Sequence, residues 1–302
     1  MAGNDLGGGE RSLAHDDTRE PALTGLEIRV LGPVEIAVGG RPVDVGGVKA
    51  RALMARLLID RGLVVSVDRL VDSLWADHDG SGAEIALRST VSRLRKRLRE
   101  AGAVDPIVTR APGYLLELPA EATDVFRFEQ LVADGRGQLS RRRPREATRV
   151  LGEAQALWRG PGYSEVCDEP FARAEARRLE ELLLSAIELR IDAGLTMGHH
   201  DALISELETL TGANPMRERL WSQRMLALYR SGRQAEALRV FQDLRTLLVD
   251  ELGIEPGTDV TWLEHAILSQ DPVLDFAPMP EQGDPPAPPD SGAGGPVATT
   301  SS

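Results

Sequence analysis

Hydrophobic and polar residues alternate near the start of the chain, as they do in strands that have one buried face. The alternation runs through residues 26–31 and resumes at residues 34–38. Gly39-Gly40 follows, a pair that suits the two-residue turn of a β-hairpin, and it leads into a third extended segment at residues 41–45. This stretch therefore predicts an antiparallel set of strands.

Helical spacing then replaces the alternation. Leu53, Leu57 and Leu58 form one apolar stripe, and Ser66 is a predicted N-cap for a second helix with its own stripe of Leu70, Val71 and Leu74. A third helix is predicted over residues 83–99. A second hairpin is predicted over residues 107–118, where Ala111-Pro112-Gly113-Tyr114 has the proline and glycine positions of a type II turn. The predicted order is strands, three helices and a hairpin.

The longest part of the chain, residues 123–270, shows helical spacing throughout. A 34-residue period relates Gly198 to Gly232 and Leu207 to Phe241. Small or apolar residues at such offsets let paired helices pack closely at each turn, as in tetratricopeptide repeats. We therefore expect an all-α, tetratricopeptide-like domain that offers a surface to partners and performs no chemistry.

Composition divides the chain into four regions. Residues 1–24 are glycine-rich and polar, and residues 272–302 contain eight prolines and four glycines, so both are predicted to be disordered. Between them we expect an α+β domain at residues 25–118 and the helical domain at residues 119–271. The leading region is too short for a receiver domain, so phosphorylation of an aspartate is not the expected switch.

The net charge of −12 hides a segregation along the chain. Residues 26–118 carry 14 basic and 12 acidic side chains, whereas residues 119–302 carry 19 and 30. Residues 85–99 hold six basic side chains and no acidic one. A compact cationic patch on an acidic protein indicates a partner with a phosphate backbone.

Features of membrane and secreted proteins are missing from the sequence. It has no run of about 18 apolar residues that would predict a membrane helix, and residues 1–20 lack the apolar segment of a secretory signal. The single cysteine, Cys167, excludes an internal disulfide and a cysteine-rich zinc site. The predicted location is the cytoplasm, in association with the nucleoid, and no membrane partner is expected.

The third predicted helix has an apolar face and a basic face. At about 100° per residue, its aliphatic side chains fall on one side and face the core: Leu87, Val91, Leu94 and Leu98. The opposite side and its flanks are small or basic: Ser89, Ser92, Arg93, Lys96, Arg88, Arg95, Arg97 and Arg99. Small residues let a helix approach the major groove closely, and arginine is the commonest reader of guanine. Most charge runs are solvated faces, but the neighbouring helices and hairpin favour DNA binding.

Residues 26–118 resemble the winged-helix effector domain of OmpR-type regulators. Three stretches carry the resemblance: VSRLRKRL at residues 91–98, VTRAPGY at residues 108–114, and DRLVDSLW at residues 68–75. Trp75, at the end of the last stretch, is predicted to pack in the core. Tyr114 resembles the aromatic residue that packs the base of the wing.

The resemblance implies roles for individual side chains. Arg93 matches the base-reading arginine and Arg110 the arginine that enters the minor groove. Arg95 and Arg97 match contacts to the DNA backbone, and Thr109 matches a phosphate contact from the wing. The predicted DNA-binding residues are therefore Arg88, Ser89, Ser92, Arg93, Arg95, Lys96, Arg97, Thr109, Arg110, Tyr114 and Lys49.

The helical region resembles the bacterial transcriptional activator domain. Five stretches match in the family's order: residues 156–161, 168–171, 177–182, 227–238 and 250–257. Together the two resemblances identify the chain as a member of the Streptomyces antibiotic regulatory protein (SARP) family, with an α+β winged helix-turn-helix domain followed by an all-α tetratricopeptide-like domain. Several family members carry asparagine near the start of the recognition helix, where this chain has Ile85; that side chain is predicted to point outward, toward a thymine methyl group.

Membership of this family implies an activator of a secondary-metabolite, or antibiotic, gene cluster. Two protomers would bind head to tail on direct repeats in promoter DNA near the −35 region. There they would contact the sigma factor and other subunits of the RNA polymerase holoenzyme. The alternative is a scaffold whose winged helix binds protein, but the cationic helix and the basic wing favour DNA.

Patterns that carry enzyme chemistry are not found. Neither Lys49 nor Lys96 lies in a nucleotide-binding loop, and no catalytic serine or zinc-protease motif occurs. Adjacent residues point about 100° apart on a helix, so His199-His200 is predicted to lie on the surface at a repeat turn rather than to bind a metal. We expect a protein that is not an enzyme and that uses no cofactor.

Overall fold

The computed structural model describes residues 25–75 and 80–277. Contacts divide these residues into two compact units. The amino-terminal unit contains the described residues up to Glu129 together with Ala156–Leu182. The helical unit contains Gln130–Gln155 and the described residues from Leu183 onward. No helix in the described ranges is long and apolar enough to cross a membrane.

The amino-terminal unit begins with a three-stranded antiparallel sheet. Its strands are β1 (Leu26–Arg29), β2 (Glu35–Val38) and β3 (Arg41–Pro42), in that order. Gly39 and Gly40 form the turn between β2 and β3 with φ of 57° and 75°. A hairpin turn of type I′ needs two residues with positive φ, so the predicted turn is confirmed.

Three helices and a short strand follow: α1 (Val48–Ile59), β4 (Val65–Ser66), α2 (Val67–Leu74) and α3 (Gly80–Glu100). Ser66 caps α2, because its hydroxyl oxygen accepts a hydrogen bond of 3.2 Å from the Arg69 N–H. The apolar face predicted for α3 is buried at all four positions, and Trp75 is buried as well. The three predicted helices are confirmed and their core-facing leucines are buried, whereas Val71 on α2 is only half-buried.

A second sheet closes the unit and supplies the wing. Strands β5 (Ile107–Arg110) and β6 (Gly113–Leu116) form an antiparallel hairpin, and β6 also pairs with β4. Arg110 pairs with Gly113, so Ala111 and Pro112 are the two central residues of the turn, and the bond between them is cis. The predicted type II turn over residues 111–114 is wrong, because the strand register places Ala111 and Pro112 at the central positions, whereas the prediction required Pro112 and Gly113 there.

Gly113 is required for a different structural reason from the one predicted. It is the first residue of β6, and its φ is not positive. A Cβ atom added there would lie 1.9 Å from the backbone oxygen of Val65 on β4. The glycine is therefore required for the close approach of β6 to β4 rather than for the conformation of the turn.

Residues that follow the wing return to the first sheet within the amino-terminal unit. The buried carboxylate of Asp124 accepts hydrogen bonds from the Val30 and Leu31 N–H groups at 2.9–3.0 Å, and burial raises its pKa. The N–H groups of Arg159 and Tyr163 donate to the backbone oxygens of Leu31 and Val30, respectively. Part of the region assigned from sequence to residues 119–271 thus packs in the amino-terminal unit.

The remaining elements are helical. After a 3₁₀ turn at Ala120–Ala122, the long helices are α4 (Asp124–Ser140), α5 (Pro144–Ala156), α6 (Pro170–Thr196), α7 (His200–Ala213), α8 (Glu218–Arg230), α9 (Gln234–Leu252) and α10 (Thr258–Ser269). Those of the helical unit enclose a core of aliphatic and aromatic side chains between Ile187 and Leu274.

The 34-residue repeat is visible in the backbone of the helical unit. Gly198, between α6 and α7, has φ of 84°, and Gly232, between α8 and α9, has φ of 75°. The N–H that follows each glycine closes an equivalent turn: His199 donates to the Gly194 oxygen at 3.0 Å, and Arg233 donates to the Leu228 oxygen at 2.9 Å. The predicted period is therefore confirmed at this turn.

Two expectations for the helical unit are wrong. Residues 272–277 were expected to be unstructured, but Leu274 is buried in the core and its backbone oxygen accepts a hydrogen bond of 2.9 Å from Arg230 Nε. His200 was expected on the surface, but its ring is buried and meets Phe276 edge-on at 5.0 Å. In both cases the end of the described chain folds back onto the helices. The other predicted disordered residues, 1–24 and 278–302, lie outside the described ranges.

Candidate nucleic-acid interface

The third helix presents a small and basic surface opposite its buried side. Ser89, Ser92, Arg93 and Lys96 are all exposed there, and Ile85 precedes them on the same side. We call these five residues the outward face of α3. Because two serines separate the long side chains, the helix backbone is accessible along this face.

Arg93 is the arginine of the outward face, and its guanidinium group is free to bind a ligand. Its Nη2 lies 3.4 Å from the Thr90 hydroxyl, which itself donates to the backbone oxygen of Ala86. No carboxylate pairs with Arg93 among the residues that the structure describes. The planar guanidinium group therefore keeps most of its donors for a partner such as a guanine.

Arg95 faces the wing. Its Nε lies 3.0 Å from Asp105 Oδ2, and its Nη2 donates to the Ile107 backbone oxygen at 2.6 Å and to Thr109 Oγ1 at 2.9 Å. The guanidinium carbon also lies 5.9 Å from the centroid of the Tyr114 ring. These contacts favour a structural function for Arg95, whereas its contact with the DNA backbone stays a prediction.

Arg97 joins α3 to the segment before α1. Its Nη1 donates to the Asp44 backbone oxygen at 2.8 Å and lies 3.0 Å from Asp44 Oδ2. The Gly46 N–H and the Arg97 guanidinium together hold the pKa of Asp44 below its usual range. The side chain is still partly exposed, so a second interaction with a phosphate is geometrically open to it.

The other basic residues of the predicted set make weak local interactions. Arg88 pairs with Glu84 one turn earlier, Lys96 lies 3.7 Å from Glu100, and Lys49 donates to the Leu74 backbone oxygen. The two exposed ion pairs, of Arg88 and of Lys96, contribute about 0–1 kcal/mol each. They are therefore easily exchanged for phosphate groups.

The wing carries the remaining predicted residues. Thr109 and Arg110 are exposed at the end of β5. Tyr114 is buried where β6 pairs with both β4 and β5, so its predicted position at the wing base is confirmed. Arg110 stands directly before the turn and has no ion pair among the described residues.

A cavity of about 310 Å³ lies beside the outward face, between α3 and the beginning of α1. Its lining includes Gly47, Lys49, Thr90, Arg93 and Arg97. Helix α1 begins at this cavity with no side-chain cap and no acidic residue in its first turn. The free N–H groups of a helix start carry a partial positive charge, which adds to the potential of the basic side chains.

Two acidic residues that position the basic ones were not singled out from the sequence. Asp44 holds Arg97, and Asp105 holds Arg95. Asp105 Oδ1 also accepts a hydrogen bond from the Ile107 N–H at the start of β5. An aspartate two residues before a predicted strand, as in Asp105-Pro106-Ile107, is a recognisable turn signal, but its ion pair depends on tertiary contact.

The described residues do not meet the requirements of a metal site. They contain no group of three or more side chains suited to a metal ion. Cys167 is the single cysteine of the sequence, and its Sγ lies 3.5 Å from the Ser164 backbone oxygen.

Three helices followed by a hairpin wing, with a basic outward face on the third helix, define a winged-helix protein, here combined with a helical unit. Residues 42–116 match the family model of the transcriptional regulatory protein, C terminal, and residues 123–268 match that of the bacterial transcriptional activator domain. The chain belongs to the Streptomyces antibiotic regulatory protein family of transcriptional regulators.

The chain is similar in sequence to regulators of different lengths. Regulatory protein DnrI of Streptomyces peucetius is 36% identical over 257 residues, which cover 83% of this chain and 94% of DnrI. Transcriptional regulatory protein EmbR of Mycobacterium tuberculosis is 38% identical over 82% of this chain, which spans 64% of the length of EmbR. Regulatory protein AfsR of Streptomyces coelicolor is 40% identical, and the match spans 25% of its length.

The similarity extends to a solved structure. Mycobacterium tuberculosis EmbR in complex with a low affinity phosphopeptide superposes with a TM-score of 0.77 at 37% sequence identity. The superposition covers 81% of this chain and 65% of the EmbR chain. The predicted fold class, a winged helix followed by a helical domain, is thereby confirmed.

Proposed function

We propose that this protein is a sequence-specific DNA-binding transcriptional activator of a secondary-metabolite gene cluster. The observation that carries the proposal is Arg93, which has no carboxylate partner among the described residues and follows two exposed serines, Ser89 and Ser92, on the outward face of α3. A helix with that face fits the major groove, which is about 12 Å wide. A scaffold that binds protein has no comparable use for such a cationic surface.

In this proposal the predicted DNA-binding residues of the helices and the wing divide into three groups. Arg93 reads a base edge, while Arg110 at the wing turn enters the adjacent minor groove. Lys96, Lys49, Arg88, Arg97 and Thr109 contact phosphates and set the register of the helix on the duplex. Arg95 and Tyr114 hold the wing against α3, as the contacts of Arg95 with Asp105 and with the Tyr114 ring indicate.

The helical unit supplies contacts to protein in this proposal. Residues 119–302, which contain the helical unit and also some residues of the amino-terminal unit, carry 19 basic and 30 acidic side chains, so this part of the chain is repelled by phosphates. Two protomers bind head to tail on direct repeats near the −35 region of a promoter. There the protein recruits the RNA polymerase holoenzyme through its sigma factor and other subunits, in the cytoplasm and at the nucleoid, without a cofactor.

The proposal is tested by selecting binding sites from a pool of random duplexes with the full-length chain. Enriched sequences should contain a direct repeat, and a gel shift should show salt-dependent binding. Arg93→Ala should weaken binding to the selected site by about 1–3 kcal/mol and leave binding to random DNA nearly unchanged. Arg245→Gln is a matched control, because Arg245 is an exposed arginine of the helical unit paired with Glu255. Failure to enrich any sequence contradicts the proposal.

A further inference from the structure

Ile85 is the most exposed large hydrophobic side chain in the described part of the chain, with 69% of its surface accessible. It belongs to the outward face of α3, where Ser89 follows it by one turn. Gly82 precedes it by nearly one turn, and a Cβ added to that glycine would meet no atom within 4 Å. A protruding isoleucine between a glycine and a serine is not explained by packing against the described residues.

We propose that Ile85 determines sequence specificity by contacting the C5-methyl group of a thymine in the major groove. The inference rests on the proposed function, because it requires the outward face of α3 to lie in that groove. Thymine is the base that presents a methyl group there, and aliphatic side chains recognise it by apolar contact. Removal of both apolar surfaces from water stabilises the contact.

The position of the thymine follows from the geometry of α3. Ile85 and Arg93 are eight residues apart, which corresponds to about 12 Å along the helix axis. Successive base pairs are about 3.4 Å apart along a duplex. The thymine read by Ile85 should therefore lie about three to four base pairs from the guanine read by Arg93.

The neighbouring side chains support this assignment. The hydroxyl groups of Ser89 and Ser92 are short, so they do not hold the helix away from the base edges on this face. Arg88 pairs with Glu84 on a flank of the helix rather than on the outward face. The helix thus offers one apolar contact near its amino terminus and one guanidinium group further along.

The experiment uses the DNA site selected with the full-length chain. Each thymine of that site is replaced singly by uracil, which removes the methyl group and keeps every hydrogen-bonding atom. We expect one thymine in each half-site, three to four base pairs from the guanine, at which uracil weakens binding about fourfold, the effect of one buried methyl group. In Ile85→Ala this sensitivity should disappear, whereas Ile85→Val should retain it.

Leu252→Ala is the matched control, because Leu252 is an aliphatic side chain of the helical unit that is 55% exposed. This variant should show the same uracil sensitivity as the unaltered chain. The ratio of affinities for thymine and uracil is compared within each variant, so a general loss of affinity in Ile85→Ala does not obscure the result.

The outcomes separate the two proposals. If no DNA sequence is enriched, the proposed function itself fails. If a site is enriched but no thymine is sensitive to uracil, or if the sensitivity persists in Ile85→Ala, DNA binding stands and the assignment of Ile85 is overturned. If Ile85→Ala loses polymerase binding while its affinity for the thymine and uracil forms of the DNA site is unchanged, the side chain is assigned to a protein contact instead.

Discussion

Arg95 on α3 donates a hydrogen bond of 2.9 Å to the hydroxyl group of Thr109 on β5, so the predicted recognition helix and the wing are joined by a side chain of each. The same guanidinium group contacts Asp105 and the backbone oxygen of Ile107. The relative position of helix and wing is therefore set by this network. Both residues were predicted from the sequence to face DNA.

Arg95→Ala should consequently act on stability more than on phosphate binding. Loss of the network should lower the free energy of unfolding by about 1.5–3 kcal/mol, the range for hydrogen bonds to a charged group. The salt dependence of the dissociation constant should keep its slope, whereas Lys96→Ala should reduce that slope by about one. Urea unfolding and gel shifts at several salt concentrations measure both quantities. A reduced slope in Arg95→Ala with unchanged stability shows that Arg95 binds a phosphate.

Gly113→Ala tests the close approach of two strands. The new methyl group would overlap the backbone oxygen of Val65, so β6 must move away from β4. We expect a loss of about 3 kcal/mol in the free energy of unfolding, at the upper end of overpacking effects. Gly152→Ala in α5 is the control, because a Cβ there has no neighbour within 4 Å and alanine favours a helix by about 1 kcal/mol. Equal stability of the two variants would show that the strands do not approach as described.

Periodicity predicted the features that depend on burial of one face. Leu87, Val91, Leu94 and Leu98 recur at helical spacing because one side of α3 packs in the core, and all four are buried. Gly39-Gly40 was predictable because its turn requires two positive φ angles within four residues of chain. These signals are local, so a single sequence contains them.

Long-range contacts produced the features that were not predicted. The need for glycine at position 113 arises from Val65, which is far away in the sequence. The burial of His200 depends on Phe276, and the interactions of Arg97 depend on Asp44. For the candidate interface, the residue types were predictable, but the division between free and internally bonded arginines was not.

His200 should make stability depend on pH. Burial lowers its pKa, Arg230 lowers it further, and neither ring nitrogen has a hydrogen-bond partner in the described structure. The unfolded chain binds a proton near pH 6.5, whereas the folded chain resists it. The free energy of unfolding should therefore fall as the pH falls below about 6.5, until the lowered pKa is passed.

Comparison of His200→Leu with the unaltered chain isolates this contribution. The variant should lose less stability between pH 7 and pH 5, as measured by urea unfolding. His265→Gln serves as the control because His265 is exposed, and it should behave like the unaltered chain. The same pH dependence in all three proteins is the result that rejects a contribution from His200.

Leu274 should anchor the end of the described chain. It is 4% exposed within the core of the helical unit, so Leu274→Ala should lower the free energy of unfolding by about 2–5 kcal/mol. Removal of residues 278–302 should cost less than about 1 kcal/mol, since that segment is rich in proline and poor in apolar residues. Thermal unfolding of both proteins measures the difference. A larger loss from the truncation than from Leu274→Ala would show that the removed segment docks on the protein.

The spacing of half-sites tests the head-to-tail arrangement on DNA. Winged helices that read successive major grooves on one side of a duplex need half-sites about 10–11 base pairs apart. Cooperative binding by neighbouring protomers should then depend on both rotation and distance. An insertion of about 5 base pairs turns one protomer to the opposite side of the duplex and separates the two proteins.

An insertion of one full turn restores the rotation but lengthens the gap by about 34 Å, which is more than a direct contact between domains spans. We therefore expect both insertions to abolish cooperativity and to leave the affinity of a single half-site unchanged. Gel-shift titrations on the three duplexes give the cooperativity directly. Single-site binding reports the contacts of α3 and the wing, so it is the internal control. Equal cooperativity on all three duplexes would mean that the protein binds DNA as independent monomers.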